Sequence, residues 1–329
     1  MDLQEIRRLL LLAGLCITLL FGTSACNSTR PVTTEASIPP ALILKDHPLA
    51  NRIYDVRAGR FISEDDLYKR LVDAGYILVG ETHDNTEQHR VETAIIDHLS
   101  ALHRLTSVSF EMIDDKQGRF LQGRKFGSPE ELIGLLKQAD SGWDYKIYYR
   151  DLFDSVIRAG FRILPANIDR THLVGLMNGH AVVVPADLQQ LLTATPLTKQ
   201  AQDAMLKNIL DSHCGMLKPE QAQPMVRGQR LRDTAMAASL LHSDSRLKVL
   251  IAGNGHVRTD LGVPLYLHAP QGSVISIGQL EVEEYLNRPG DYAADWNSDQ
   301  LPFDYVWFTA RADRVDPCID FIKTHSPNK

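Results

Sequence analysis

The 329-residue sequence carries no excess of basic residues: 35 Lys and Arg stand against 41 Asp and Glu, a formal net charge of −6. Without a Lys/Arg cluster to neutralise phosphates, it lacks the footprint of a nucleic-acid binder or of a protein held on anionic membrane by its surface. There is no Gly-x-Gly-x-x-Gly string and no Walker lysine, so both phosphate-binding fingerprints are missing. The apolar run from Leu9 to Phe21 falls short of the ~20 residues that a spanning helix needs. Cysteine is scarce, four in all, so each can be weighed singly.

The N-terminus supplies the first positive signal. Arg7 and Arg8 precede the apolar run, and Gly22, Thr23, Ser24 and Ala25 lead to Cys26. This is the order of parts in a signal peptide. Two cleavage readings stand side by side: a small-x-small site ending at Ala25, or a lipoprotein cut before Cys26 with acylation of that cysteine. The lipobox is imperfect, with Thr23 where Leu or Val is usual. The expectation is a signal peptide over 1–25 and a lipidated Cys26 with a disordered Ser/Thr/Pro-rich tether over 26–40, followed by a single domain over 41–329. Such a chain belongs in the bacterial cell envelope, anchored to membrane by lipid, and the absence of Asp after Cys26 suits the outer membrane. An exported chain keeps Cys214 and Cys318 in an oxidising compartment, where they are expected to pair.

From residue 41 onward, short β-branched apolar runs alternate with amphipathic stretches, the pattern of an α/β fold with a mainly parallel sheet and crossover helices. Strands are predicted over 76–79, 105–110, 161–165, 248–251 and 274–277, with a further strand over 305–309 at a sheet edge. Helices are predicted over 64–74, 87–103 and 148–159. Between the third and fourth of these strands lie about eighty residues, far more than a crossover needs. That excess predicts a helical cap over approximately 167–245, with helices over 169–177, 186–192, 198–210 and 223–242 and with Pro224 in a first turn. Five of the seven methionines lie there, Met177, Met205, Met216, Met225 and Met236. They suit either an irregular apolar cavity or the core of the cap itself. In the last cap helix Met225, Gln229, Asp233, Met236 and Leu240 fall on one face. The amide and carboxylate in that stripe must line a pocket or pair across helices.

Ligands of open α/β sheets bind beyond the carboxyl ends of the strands. There this sequence places Gly80-Glu81-Thr82-His83-Asp84, then Glu111, then Asn167 with Asp169 and Arg170, then Gly253-Asn254-Gly255-His256. If the topology holds, Glu81, His83, Glu111 and His256 converge. Two carboxylates and two imidazoles can hold a divalent metal ion or serve as general acid and base. Singly, each also fits a plain role such as a helix cap or a satisfied core histidine. The segment from Trp143 to Arg150 adds an indole, a cation and the phenols of Tyr145, Tyr148 and Tyr149, and a phenolate can ligate ferric haem. Packing beneath the cap is the alternative use of those rings.

Taken in order, ILVGETHDN (77–85), Ser109-Phe110-Glu111-Met112, Gly142 to Tyr145, ILPANIDR (163–170), Arg232-Asp233 with Met236-Ala237, and IAGNGHVR (251–258) followed by Gly262-Val263-Pro264 resemble the motifs of the ChaN family of haem-binding, iron-regulated lipoproteins. The match runs from about 41 to 280. The resemblance implies haem as ligand, a parallel α/β core with a helical cap, and a homodimer in which two haems stack. It also implies an outer-membrane protein concerned with iron or haem acquisition rather than a proven enzyme. The wider superfamily includes erythromycin-esterase-like and TIKI-like hydrolases with similar Glu/His motifs. The expected haem contacts are Tyr145 or Tyr148 at the iron, Arg170 or Arg232 at a propionate, and Met225, Gln229, Asp233 and His256 around the pocket. The alternative is a metal-dependent hydrolase of an ester, lactone or peptide bond, with Glu81, His83, Glu111 and His256 as metal ligands or catalytic groups. A pure scaffold is the third reading.

Overall fold

The computed structural model describes residues 38–139, 142–177, 180, 182–270, 272–315 and 318–319. The expected signal segment, Cys26 and the tether up to Ser37 lie outside the described residues. Among the described residues no helix is long and apolar enough to cross a membrane.

Eight strands form one mixed sheet. In chain order they are β2 (Ile53–Asp55), β3 (Arg60–Ile62), β4 (Tyr76–Glu81), β5 (Thr106–Asp114), β6 (Arg162–Asn167), β7 (Leu247–Gly253), β8 (Val274–Glu281) and β9 (Tyr305–Thr309). Across the sheet the order is β3-β2-β9-β8-β4-β7-β5-β6, and a separate short pair joins β1 (Leu42–Ile43) to β10 (Arg311–Ala312). All contacts from β9 through to β6 are parallel, whereas β2 and β3 form an antiparallel hairpin against β9. The strand over 305–309 is thus not an edge strand. The hairpin of three-residue strands, too short to show a period in the sequence, covers it.

Helices coat both faces. On one side lie α1 (Glu64–Leu71), α2 (Thr86–Ser100), α4 (Pro129–Leu136) and α6 (Arg150–Arg158), packed through Leu67, Ile95, Leu132, Phe153 and Val156 onto Ile77, Val79, Phe110 and Val249. The period-2 alternation of the strands sends Leu78 and Leu250 to the opposite face. There they join Met236, Leu240 and Val257 in a second core. Between β6 and β7 come four helices, α7 (Arg170–Met177), α8 (Ala186–Ala194), α9 (Lys199–Ser212) and α10 (Pro219–Leu241). The helix expected to start near residue 223 begins one turn earlier, at Pro219. Pro219 takes the first-turn place, where its missing N–H costs nothing. Pro224 falls inside the helix and leaves the carbonyl of exposed Glu220 without its usual donor. The helix predicted over 148–159 is split at Tyr149 into α5 (Tyr145–Tyr148) and α6.

The remaining elements are α3 (Asp115–Leu121), α11 (Asn254–Val257) and α12 (Pro264–Leu267), with a 3-10 helix over Pro289–Trp296. A disulfide joins Cys214, just beyond α9, to Cys318, with Cα atoms 5.4 Å apart across 104 residues of chain. It closes the expected link between the helical middle and the C-terminal segment.

Candidate functional site

The register of the sheet decides which face each carboxylate takes. Glu81 follows Ile77 and Val79 in parity and so faces α2 and α6, while Glu111 follows Ser107 and Ser109 toward α10. Gly253 ends β7, the strand between β4 and β5, opposite Glu81. A methyl group there would stand 3.2 Å from His83 Nε2 and 3.5 Å from Glu111 Oε2. The glycine therefore leaves the gap through which the two faces communicate.

On the α2 side, Glu81 is buried and its Oε1 accepts from Tyr149 O–H and from His83 Nδ1, both at 2.6 Å. Its Oε2 lies 3.2 Å from His89 Nδ1, which is also 3.1 Å from Glu92 Oε2. The other nitrogen of His89 donates to the His83 carbonyl at 3.0 Å, and Gln279 Nε2 donates to Glu92 Oε1 at 3.0 Å. Burial alone would raise the Glu81 carboxyl, but the His89 and His83 imidazoles hold it well below the usual range. Burial and then the Glu81 charge push Glu92 up to about 8. For His83, burial works downward, yet the bonds and charges of Glu81 and Glu111 raise it to about 9.

On the α10 side, Glu111 takes an ion pair with Arg232 and the Gly253 N–H at 2.6 Å. His256 Nε2 is 3.6 Å from Glu111 Oε1, and His83 Nε2 is 3.9 Å from the same oxygen. His256 Nδ1 donates to Asp233 at 2.6 Å, and the Gln229 amide lies 3.1 Å from that nitrogen. The polar residues in the α10 stripe are thus spent on orienting His256. Burial would raise Glu111, but His256, Arg232, His83 and the Gly253 N–H bring it down to about 2.

All four expected residues, Glu81, His83, Glu111 and His256, therefore meet at one edge of the sheet. They form a hydrogen-bonded and ion-paired chain. Among the described residues, the ligand-type atoms that gather within 4.8 Å of one another belong instead to Glu81, His89 and Glu92. Two clefts flank the chain. One, of about 300 Å³, is bounded by Trp143, Ile168, Leu173, Arg170, Glu111 and Arg232. The other, of about 380 Å³, lies between α9, α10 and the 3-10 helix, with Met205, Gln229, Arg258 and Trp296 on its walls. The methionines divide accordingly: Met205 reaches this cleft, Met236 is core, Met177 and Met216 are exposed, and Met225 is half-buried.

The two candidate phenols part company. Tyr145 is fully buried, its hydroxyl donating to the Met112 carbonyl at 2.6 Å and accepting from Gln117 at 3.0 Å. Tyr148 is only half-buried, near His89. Sequence reasoning gave Tyr149 no role beyond its place among the phenols of its segment, and it passed over His89 and Glu92. A signal for two of them was present, since His89 and Glu92 interrupt an apolar helical stripe continued by Ile96 and Leu99, as Gln229 and Asp233 do in α10. Asn85, within the first motif, is a helix cap: its side chain accepts from Glu87 N and Gln88 N.

A family model described as haem-binding uptake, Tiki superfamily, ChaN, matches residues 67–267, more than half of the chain. The chain belongs to this family. Among solved structures it is similar to ChaN of Campylobacter jejuni, a structure of cofacial haem binding, with 23% identity and a TM-score of 0.59 over 78% of this chain and 95% of that one. This likeness establishes the shared fold. The erythromycin esterase EreC in its open conformation is more distant, at 13% identity and a TM-score of 0.40 over 84% of this chain and 87% of that one. No curated protein matches the chain in a sequence search. Membership of a haem-binding family supports haem as the ligand, and the site has residues to suit it. The partly exposed imidazole of His83 packs edge-on against Trp143, which bounds the cleft walled by Ile168 and Leu173 with Arg170 and Arg232. The half-buried phenol of Tyr148 lies against His89.

Proposed function

We propose that the protein binds haem at the carboxyl edge of its sheet and serves in the cell envelope as a lipoprotein that acquires or handles haem and its iron. The observation that carries this reading is the cleft beside Trp143, where Ile168 and Leu173 give an apolar wall and Arg170 and Arg232 lie at its side. A flat apolar ligand with carboxylates at its edge suits such a cleft. Tyr148 is the phenol we assign to the iron, since the Tyr145 hydroxyl is committed within the core. A cleft of about 300 Å³ that is open at the surface leaves a face of haem uncovered, which a second copy of the chain would close.

Haemin titrated into residues 27–329 should give a saturable Soret shift that Tyr148→Phe weakens and Tyr145→Phe leaves nearly unchanged. A spectrum that never saturates would sink the haem reading. Lipidation is checked separately, by membrane fractionation and mass spectrometry of the wild type against Cys26→Ser.

One observation favours a second reading, hydrolysis of an ester, lactone or peptide bond. His256 is held by Asp233 through one nitrogen and turns the other toward Glu111, the arrangement of an oriented general base. A bound metal would add activation of water. Turnover in a panel of ester and peptide substrates, abolished by Glu111→Gln and by His256→Asn, would favour this reading. Absence of any turnover in the wild type counts against it.

A further inference from the structure

The buried group on the α2 side has a construction that neither haem binding nor the Glu111–His256 chemistry uses. Three side chains from two elements, Glu81 at the end of β4 and His89 and Glu92 one turn apart in α2, aim one atom each at a common point. In every case the residue's other polar atom is fixed by a partner. Glu81 Oε1 is held by Tyr149 and His83, His89 Nε2 by the His83 carbonyl, and Glu92 Oε1 by Gln279. The atoms turned to the common point are Glu81 Oε2, His89 Nδ1 and Glu92 Oε2, of which the last two are joined by a hydrogen bond of 3.1 Å.

Outer partners that orient the far atom of each ligand are what metal sites require. The spacing also agrees. Two donors each about 2.1 Å from one cation lie about 3.0 Å apart at a right angle and about 3.4 Å apart at the tetrahedral angle. Here the carboxylate oxygens are 3.2 Å and 3.1 Å from the imidazole nitrogen. A second, independent sign is that Glu81 Oε2, in a residue only 2% exposed, accepts no hydrogen bond. Because His89 gives its Nε2 proton to a carbonyl, a cation that displaced the Nδ1 proton would meet a lone pair held between two carboxylates.

We propose that Glu81, His89 and Glu92 bind a divalent first-row transition cation, in the class of zinc, manganese or ferrous iron. Two carboxylates and one imidazole suit that class, and its binding would release the proton shared between His89 and the carboxylates. Its place is beneath the surface site: His83, whose ring is bonded to Glu81 and whose carbonyl is bonded to His89, lies between the cation and solvent. The cation therefore fixes the position of His83 and does not compete with a ligand in the Trp143 cleft. This inference does not rest on the haem reading.

The test uses haem-free protein, purified without a metal-affinity tag and verified by absorption, with bound metals counted by mass spectrometry. About one cation per chain is expected. Chelation should lower the melting temperature, and addition of one equivalent of zinc, manganese or ferrous ion should restore it. Glu92→Gln should lose both the bound metal and the restoration, whereas Glu111→Gln should keep both. Wild-type protein that holds no stoichiometric metal, and whose melting temperature no added cation moves, would overturn the proposal and leave a shared proton in the cluster. Because this arm needs no variant, a Glu92→Gln chain that fails to fold does not blunt it. Metal retained by Glu92→Gln but lost by Glu111→Gln would overturn it as well, by moving the ion to the α10 face.

Discussion

On the α10 face of the sheet, Glu111 and Asp233 are matched by Arg232 and His256, and each carboxylate has its own cationic or imidazole partner. On the α2 face, Glu81 is held by His83 and by the Tyr149 hydroxyl, and it shares the imidazole of His89 with Glu92. Gly253 and His83 connect the two. The α10 group borders two surface clefts, and of its carboxylate oxygens Asp233 Oδ2 alone accepts no hydrogen bond. The α2 group is buried beneath helices, and there two carboxylates share the one ring of His89. A buried charge that is well paired costs little to keep and much to break, whereas an unmatched one must take up a proton or a cation. The contrast separates a surface-linked site from the buried support beneath it.

The most direct way to break the contrast is to remove the cation on the balanced side. Arg232→Met leaves Glu111 buried without its guanidinium and should destabilise the protein by roughly 3–5 kcal/mol, read from urea denaturation. The double replacement Arg232→Met with Glu111→Met should recover most of that loss. If the single variant costs under ~1 kcal/mol, the pair behaves as a solvent-exposed one and the distinction between the faces collapses.

A pH series sharpens the same point. The folded pKa of Glu111, about 2, lies below that of an unfolded glutamate at ~4.3. Its contribution is therefore present above pH ~4.3 and lost as pH falls toward 2, amounting to roughly 3 kcal/mol. The difference in stability between wild type and Glu111→Gln should shrink across that acid window and stay flat from pH 5 to 7. A difference that instead changed around neutrality would assign the dependence to another group.

On the α2 face, Tyr149→Phe removes the hydroxyl that holds Glu81 Oε1. The expected cost is about 1–3 kcal/mol, together with weaker metal retention, measured by denaturation and metal counting on one sample. Equal metal retention in the variant would show that the orientation of Glu81 does not depend on Tyr149.

How much of this was legible in the sequence follows the range of the forces involved. The six longer strands and the helices on both faces could be read because hydrophobic period and turn residues are local. Glu81, His83, Glu111 and His256 could be placed together because parallel strands carry their carboxyl ends to one edge. The β2–β3 hairpin could not, since three residues on each strand carry no period. The pairing within the site was also out of reach. That Asp233 and Gln229 serve His256, or that Tyr149 rather than Tyr145 meets Glu81, depends on how α10 and α6 sit on the sheet. In the second case the helix breaks at Tyr149, whose hydroxyl meets Glu81 while that of Tyr145 meets the Met112 carbonyl.

The smallest expected effect falls at the junction between the two faces. Gly253 has φ −55° and ψ 145°, values open to any residue, so its glycine is explained by space and not by backbone conformation. In Gly253→Ala the new methyl meets His83 Nε2 at 3.2 Å and Cε1 at 3.3 Å. With 37% of its side chain exposed, the His83 ring can move outward, so the loss of stability should stay below ~1 kcal/mol. The loss of coupling should be plain, because a displaced ring moves away from Glu111. In the wild type, His83 should titrate near 9 in an NMR experiment, its stabilising charge fully present below pH ~6.5 and lost as pH rises through 9. In Gly253→Ala that midpoint should fall toward 6.5. An unchanged midpoint would mean that Glu81 alone sets the charge of His83, and the two faces would then be neighbours without being coupled.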